Sequence, residues 1–216
     1  MPQQRVFLFA NGDCRDLDFY RRRINPEDRI ICVDGGARHV LDMGIRPHAV
    51  AGDADSIDAD LRHKLNRLSV EWICDPSIDQ ERSDLEMALE YVLSLQPKPG
   101  EIIICGALGG KRVDHTLINL FLLIRPFKAG IRAKIIDESQ TIRLMESELE
   151  LQGQVGDYLS LFALTSEVTG VRTGGLKYPL YGETLYFAST RGLSNEFASP
   201  TARVTASSGL LLVVRT

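Results

Sequence analysis

Two aspartates, Asp53 and Asp55, stand one residue apart in the segment Ala51–Ile57, between a short apolar run and the start of a helical pattern. This places both carboxylates in a loop where a predicted strand ends, and Gly52 before them adds no side-chain bulk. Like charges this close raise each other's proton affinity unless a cation lies between them. Carboxylate oxygens suit Mg²⁺ and a Mg²⁺-bound phosphate chain. An Asx turn followed by a helix cap explains the same residues, so this segment alone leaves both interpretations open.

Five further residues could act with these aspartates on a substrate that carries phosphate. Asp84 begins a predicted helix and could add a third carboxylate. Lys111 and Arg112 end a glycine-rich stretch, where backbone N–H groups and cationic side chains can surround phosphates. Asp114 and His115 follow at the junction with the next helix. Cations and positioning carboxylates are the parts that phosphoryl-type transfer needs.

Each of these residues also has a purely structural explanation. Residues 83–86 have the pattern of a capping box, Asp114 can cap the next helix, and His115 can be a solvated residue of its first turn. A Walker A loop is excluded, because Cys105 and Arg112 stand where that motif requires glycine and Ser or Thr. No Gly-x-Gly-x-x-Gly follows the first predicted strand. The case for a site therefore depends on whether the candidates meet at one place.

Short apolar runs alternate with helical patterns through the first half of the chain. The six runs are Val6–Ala10, Ile30–Val33, His48–Ala51, Val70–Cys74, Glu101–Cys105 and Arg132–Ile136. This alternation predicts a Rossmann-like α/β fold, a parallel sheet covered by helices on both faces. Carboxylates follow five of the six runs, and ligands of such sheets bind beyond the carboxyl ends of the strands. We therefore expect the acidic residues to gather along one sheet edge.

The pattern changes from about Thr141 onward. Helical periodicity disappears, and short runs rich in Leu, Val, Thr, Tyr and Phe are separated by Gly, Pro, Ser and Asn. Such runs predict an antiparallel β-sandwich. We therefore expect an α/β domain over residues 1–140 and a β-sandwich domain over residues 141–216.

The composition of the 216 residues excludes several classes of protein. Hydrophobic residues make up 44% and charged residues 25%, which is typical of globular enzymes. A net charge of −4 argues against a nucleic-acid or anionic-membrane binder. No apolar run approaches the ~18 residues of a membrane span, and no signal-peptide pattern opens the sequence. Four widely spaced cysteines lack metal-ligand spacing, so we expect a reducing, cytoplasmic location.

An ordered set of motifs along almost the whole chain resembles the thiamine pyrophosphokinase family. In the first half the motifs are Asp34-Gly35-Gly36-Ala37, Gly52-Asp53-Ala54-Asp55-Ser56, Asp79-Gln80-Glu81-Arg82-Ser83-Asp84, Arg112-Val113-Asp114-His115 and Asn119. In the second half they are Gly170-Val171-Arg172-Thr173, Gly175-Leu176-Lys177-Tyr178-Pro179-Leu180 and Gly192-Leu193-Ser194-Asn195-Glu196-Phe197. Each motif is weak alone, and their order makes the set specific.

The resemblance implies a homodimer that transfers the pyrophosphoryl group of ATP to the hydroxyl of thiamine and releases AMP. It implies an ATP-binding α/β domain, a thiamine-binding β-sandwich and active sites at the dimer interface. By this resemblance Asp53, Asp55 and Asp84 bind Mg²⁺ and the triphosphate. The residues expected around the nucleotide and its phosphates are Asp34, Gly35, Gly36, Gln80, Ser83, Lys111, Arg112, Asp114, His115 and Asn119.

The same resemblance implies a thiamine pocket at Ser194 and Asn195. Since the only tryptophan is in the first half, Tyr178 or Phe197 is expected to stack on the thiamine rings. For the chemistry, we expect Arg112 to neutralise developing charge. Asp84 or Asp114 would orient the alcohol or accept its proton.

Three other functions remain open at this point. A nucleotide-sugar glycosyltransferase would also use an Asp-x-Asp element after a strand to hold a metal and a sugar diphosphate. A binding module that senses thiamine or a nucleotide would bind its ligand without turnover. A related pyrophosphokinase could act on another alcohol, such as a pterin. Formation of AMP from ATP and thiamine would separate these alternatives.

Overall fold

The computed structural model describes residues 4–53, 57–73, 82–110 and 112–216. The chain divides into two compact units, Met1–Glu138 and Ser139–Thr216. None of the described helices is long and apolar enough to cross a membrane.

The first unit is built on a parallel sheet whose described strands follow the spatial order β6-β5-β1-β2-β3-β4. The strands are β1 (Arg5–Phe9), β2 (Arg29–Val33), β3 (Ala49–Ala51), β4 (Glu71–Ile73), β5 (Glu101–Cys105) and β6 (Arg132–Ile136). The chain builds outward from β1 to β4 and then returns to place β5 on the other side of β1. The topological switch point of the sheet therefore lies between the carboxyl ends of β1 and β5.

Burial explains why these strands appear as unbroken apolar runs in the sequence. In β1, β2 and β5 the first residue is partly exposed and the next four are buried. Helices cover both faces of a central parallel strand, so alternate residues have no solvent face to reach. The edge strand β4 is the exception, with no fully buried residue. The observed sheet confirms the predicted α/β fold.

Helices connect the strands of this unit. The described helices are α1 (Leu17–Arg21), α2 (Ala37–Asp42), α3 (Ala59–Arg67), α4 (Asp84–Ser94), α5 (Val113–Leu122) and α6 (Ile124–Lys128). Ser83 caps α4, because its side chain accepts a hydrogen bond from the Glu86 N–H, as the capping-box pattern predicts. The prediction that Asp114 caps α5 is wrong. Arg112 holds the cap position without a side-chain hydrogen bond, and Asp114 lies in the first turn.

The second unit consists of two antiparallel sheets, with the orders β12-β9-β14-β7 and β11-β10-β13-β8. The strands are β7 (Thr141–Met145), β8 (Glu148–Gln152), β9 (Tyr158–Ala163), β10 (Glu167–Gly174), β11 (Tyr181–Tyr186), β12 (Asn195–Glu196), β13 (Thr201–Thr205) and β14 (Leu211–Arg215). Inward-facing residues of both sheets, such as Leu161 and Val204, share one hydrophobic core. Shared packing of two sheet faces is the sandwich arrangement that the sequence predicts.

Candidate active site

The side chains of Asp34 and Asp84, from distant parts of the first unit, both lie beside Gly52, at the carboxyl end of β3. A Cβ placed on Gly52 would lie 3.2 Å from Cγ and Oδ1 of Asp84 and 3.4 Å from Cβ of Asp34. Gly52 also has a φ of +125°, a conformation that side-chain-bearing residues rarely adopt. A glycine here therefore lets the backbone before Asp53 approach the Asp84 carboxylate and the Asp34 side chain. Of the strand-end carboxylates expected at this sheet edge, Asp34 lies beside Gly52, and the separate candidate Asp84 lies there with it.

Asp34 is an unusual residue within this cluster. Its side chain is buried, with 5% of the residue exposed, and its Oδ1 has no hydrogen-bond partner among the described atoms. Its φ of +48° lies in the left-handed region, which is uncommon for residues other than glycine. An unsatisfied buried carboxylate oxygen is costly unless a ligand or cation completes its environment. The position of Asp34 is therefore suited to a hydrogen-bond donor or a cation.

The predicted metal ligands are only partly within the described residues. Asp53 follows Gly52 directly, and Asp84 faces Gly52, but Asp55 lies outside the residues that the structure describes. Across the described ranges, no group of three or more His, Cys, Asp or Glu side chains is arranged to hold a metal ion. The three-carboxylate metal site stays a prediction. The predicted nucleotide contacts Gln80 and Lys111 also lie outside the described residues.

Gly35 and Gly36 allow the turn after β2 to pack closely against the end of β1. They belong to the 3-10 turn Asp34–Gly36, whose residues are all buried. A Cβ on Gly36 would lie 2.0 Å from the Phe9 carbonyl oxygen, and one on Gly35 would lie 2.4 Å from Oδ1 of Asn11. Both distances are far below van der Waals contact. These glycines therefore have a packing role, whatever ligand the turn also binds.

Two other predicted nucleotide contacts position the elements of the site. Ser83 caps α4 and so fixes the start of the helix that carries Asp84. The Asn119 amide Nδ2 donates a hydrogen bond of 2.8 Å to the Ala107 carbonyl, which ties α5 to the loop after β5. That loop turns at Gly109, whose φ is +76°. These contacts show how the loop is held, and direct nucleotide binding by Ser83 or Asn119 remains a prediction.

Arg112 and Asp114 form a two-pronged ion pair at the start of α5. Arg112 Nε lies 2.9 and 3.1 Å from the two carboxylate oxygens, and Nη2 lies 2.7 Å from Oδ2. The His115 N–H donates to Oδ1 of the same carboxylate at 3.0 Å. Hydrogen bonding from Arg112 lowers the pKa of Asp114 to about 2 and raises the pKa of Arg112. The same planar guanidinium face can bind two oxygens of a phosphate.

Replacing Arg112 with Gln is expected to raise the pKa of Asp114 from about 2 toward its usual 3.8. Because the folded chain holds this pKa below the unfolded value, the pair's contribution to stability is complete above about pH 4. It is lost as the pH falls toward 2. An NMR titration of the Asp114 carboxyl carbon measures the shift. Arg125→Gln is the matched control, since Arg125 pairs with Glu86 and Glu90. An unchanged Asp114 pKa in the Arg112 variant would contradict the assignment.

The loop after β1 forms a cavity whose lining, apart from Gly35, was not part of the site predicted from the sequence. Its volume is about 380 Å³, and its lining residues are Asn11, Gly12, Asp13, Cys14, Arg15, Gly35, Arg38 and His39. In the sequence, the available signal is the polar turn Asn11-Gly12-Asp13 directly after the first buried run. We call this the β1 cavity.

The predicted thiamine residues of the second unit have different surroundings from one another. The Asn195 side chain accepts from the Tyr178 N–H at 3.0 Å and donates to the Tyr178 carbonyl at 2.6 Å. Ser194 has a φ of +56°, and its N–H donates to the Ser160 hydroxyl. Asn195 therefore holds the backbone of Tyr178, a residue that is 54% exposed. Lys177 Nζ lies 5.4 Å from the centre of that ring.

Phe197, the other predicted stacking residue, belongs to the core of the second unit. Only 1% of it is exposed, and it packs among the buried residues shared by the two sheets. A Cβ on Gly153 would lie 2.8 Å from Phe197 Cε1, so the ring rests against the backbone there. A ring enclosed in this way has no face open to a ligand, which corrects the stacking role predicted for Phe197. Tyr178 remains the candidate.

Two family models match consecutive parts of the chain. "Thiamin pyrophosphokinase, catalytic domain" matches residues 20–135, and "Thiamin pyrophosphokinase, vitamin B1 binding domain" matches residues 141–211. The first match alone covers more than half of the 216 residues.

Individual relatives agree with the family models. The chain is 28% identical over 193 residues to thiamine pyrophosphokinase of Bacillus subtilis, covering 86% of each chain. It is 27% identical over 208 residues to thiamine pyrophosphokinase 1 of Oryza sativa, covering 85% of this chain and 77% of the relative. The crystal structure of the Bacillus subtilis enzyme superposes with a TM-score of 0.88 over 99% of both chains, at 27% identity.

Proposed function

The chain belongs to the thiamine pyrophosphokinase family, and we propose that it transfers the pyrophosphoryl group of ATP to the hydroxyl of thiamine in a Mg²⁺-dependent reaction. The products are thiamine diphosphate and AMP. The chain is thus an enzyme, a diphosphotransferase, like the relatives that it matches. The observation that carries the proposal is the meeting of Asp34 and Asp84 at Gly52, on the sheet edge where α/β folds bind ligands.

The carboxylates at Gly52 fit a divalent cation. Mg²⁺ prefers carboxylate and phosphate oxygens, and the buried Oδ1 of Asp34 has no hydrogen-bond partner among the described atoms. We propose that Asp53, Asp55 and Asp84 hold the metal, with Asp34 beside them. When bound, the ion would neutralise part of the charge of the triphosphate.

The balanced reaction requires one proton transfer and one bond exchange. The hydroxyl oxygen of thiamine attacks the β-phosphorus of ATP, and the bond from that phosphorus to the α,β-bridging oxygen breaks. AMP leaves with the bridging oxygen. Arg112 is proposed to leave Asp114 and bind phosphate oxygens on which charge develops.

The proton of the alcohol is proposed to pass to Asp84. Asp114 is the other candidate acceptor: its pKa is about 2 while Arg112 binds it, and it becomes more basic when Arg112 moves to the phosphate oxygens. Asp84 lies with Asp34 beside Gly52, where the reacting phosphates are proposed to bind.

Thiamine is proposed to contact the second unit at Ser194, Asn195 and Tyr178. The exposed Tyr178 ring can stack on an aromatic cation, and Asn195 fixes the backbone beneath it. The vitamin B1 binding model over residues 141–211 supports this assignment.

We also propose that the enzyme is a cytoplasmic homodimer. Cys14, Cys32 and Cys105, the cysteines within the described residues, are free thiols, as is typical of reducing compartments. Dimerisation follows from the family resemblance and is checked by sedimentation or light scattering.

Incubation of the purified protein with ATP, Mg²⁺ and thiamine is expected to yield AMP and thiamine diphosphate in equal amounts. Chromatography of the nucleotides and thiamine esters measures both products. A γ-phosphoryl transfer would instead release ADP with thiamine monophosphate. Omitting Mg²⁺, or replacing thiamine with a pterin alcohol, provides the controls.

Three results, from this assay together with a thiamine-binding measurement and a parallel incubation with nucleotide sugars, would contradict the proposal. Binding of thiamine without any product would favour a sensing module. Turnover with the pterin alone would favour a different acceptor. Consumption of a nucleotide sugar with no AMP from ATP would favour the glycosyltransferase.

A further inference from the structure

Three charged side chains join α4 to α6. Arg125 of α6 donates from Nη1 to Glu90 Oε1 at 2.9 Å and from Nη2 to Glu86 Oε1. Glu86 is the third residue of α4, and its side chain is only 18% exposed. A planar guanidinium can bind two separate carboxylates at once, because its N–H donors point in fixed directions. Arg125 therefore contacts α4 at two points that lie about one helical turn apart.

Glu86 and Glu90 would repel each other without this cation. They are four residues apart on α4 and so share one face of the helix, where like charges are destabilising. Glu90 has a second cationic partner, because Arg82 Nη1 donates to its Oε2 at 2.7 Å. Loss of Glu90 would also leave Arg125 bound to Glu86. The contact that acts on the start of α4 is therefore the pair of Arg125 with Glu86.

Glu86 lies in the same helical turn as Asp84. Two residues separate them, a rise of about 3 Å along the helix axis. The Glu86 N–H donates to Ser83 Oγ, and the Met87 N–H donates to the Ser83 carbonyl at 3.0 Å. These bonds make the first turn of α4 one connected unit. A displacement of Glu86 therefore moves Asp84 relative to Gly52.

Hydrophobic packing alone leaves the position of α4 along its axis less well defined. The helix packs on β2 and β3. Its buried residues are Leu85, Ala88, Leu89 and Val92. Hydrophobic burial is favourable but non-directional. Charge-assisted hydrogen bonds have a defined geometry, so the contact with Arg125 supplies the constraint that the apolar face lacks.

The other end of this contact belongs to the segment that begins with Arg112. Arg112 stands at the start of α5, and α6 follows α5 after Leu123. The Asn119 amide ties the same segment to the Ala107 carbonyl in the loop after β5. Arg125 thus joins the helix that carries Asp84 to the segment that presents Arg112.

We propose that Arg125 is a positioning residue for Asp84. Through Glu86 it holds the start of α4 so that Asp84 faces Gly52 in the geometry that binds the metal. The inference rests on the proposed function, because it takes Asp84 to be a metal ligand. Neither Glu86 nor Arg125 belongs to the motifs that resemble the family.

The test compares Arg125→Gln, Glu86→Gln and the double variant with the wild type. Glu101→Gln is the matched control, since Glu101 pairs with Lys134 at 3.0 Å, both side chains are 18% exposed, and neither residue lies on α4 or α6. Electron paramagnetic resonance measures the Kd of Mn²⁺, the probe for the metal site, without nucleotide. Hydrogen–deuterium exchange of the metal-free protein measures protection of the first turn of α4. Steady-state assays give kcat and the KM of thiamine, and circular dichroism melts confirm that each variant is folded.

Arg125→Gln is expected to weaken Mn²⁺ binding about tenfold and to lower kcat similarly, while the KM of thiamine stays within about twofold. Exchange of the Glu86 and Met87 amides should accelerate about tenfold, because the first turn opens more often. Glu86→Gln should have the same effects. The double variant should be no weaker than either single variant, because the two side chains form one contact. Glu101→Gln should match the wild type in Mn²⁺ affinity and in the exchange of these amides.

An unchanged Mn²⁺ Kd in folded Arg125→Gln, together with a raised Kd in Asp84→Asn, would overturn the inference and leave the proposed function intact. Equally accelerated exchange in Glu101→Gln would also overturn it, because this result would show general loosening of the unit. A Kd that Asp84→Asn leaves unchanged would overturn the proposed metal role of Asp84 and the inference with it.

Discussion

Asp84→Asn is expected to lower kcat/KM by a factor of roughly 10²–10³, or about 3–4 kcal/mol of transition-state stabilisation. The substitution keeps the size of the side chain and its place at the start of α4. It removes the negative charge that faces Gly52 beside Asp34, and with it a proposed metal ligand and proton acceptor. Initial-rate measurements of AMP formation across Mg²⁺ concentrations give the effect.

Glu90→Gln is the matched control for this variant. Glu90 is a carboxylate of the same helix, but it forms partly exposed ion pairs with Arg82 and Arg125. Such pairs contribute little to stability, so activity should stay within about twofold of wild type. Asp55→Asn should lose activity as strongly as Asp84→Asn. Near-normal turnover of both aspartate variants would contradict a catalytic role for Asp55 and Asp84.

Phe197→Ala is expected to reduce the free energy of unfolding by about 3–5 kcal/mol. The ring is 1% exposed, packs in the core between the two sheets, and rests against Gly153. Truncation removes buried apolar surface and leaves a cavity that the sandwich can fill only in part. Urea denaturation followed by circular dichroism measures the change in midpoint.

Tyr178→Ala provides the opposite case. The residue is 54% exposed, so the free energy of unfolding should change by no more than about 0.5 kcal/mol, while the KM of thiamine should rise. Phe197→Leu separates packing in the core from stacking on thiamine, because it removes the ring but keeps most of the buried volume. A raised thiamine KM in a stable Phe197→Leu variant would restore Phe197 to the pocket.

The sequence by itself determined the strands of the first unit and the family. The runs at residues 6–10, 30–33 and 101–105 are unbroken because central parallel strands are buried on both faces, and this signal is local. The capping box at Ser83 is local as well. The change to short, turn-separated runs after Thr141 likewise marked the antiparallel sandwich. The ordered motifs identified the family, which the matching models confirm.

Only the tertiary structure decided which polar and aromatic side chains share a site. Asp34 and Asp84 are 50 positions apart, and they meet at Gly52 because β2 and β3 are neighbours and α4 starts at the same sheet edge. Phe197 directly follows β12, in which Asn195 pairs with Leu159. This pairing sets whether the Phe197 ring faces the core. Strand register and the meeting of distant loops depend on long-range packing, so no local sequence pattern predicts them. For the same reason the β1 cavity was visible only once the loops after β1 and β5 had been brought together.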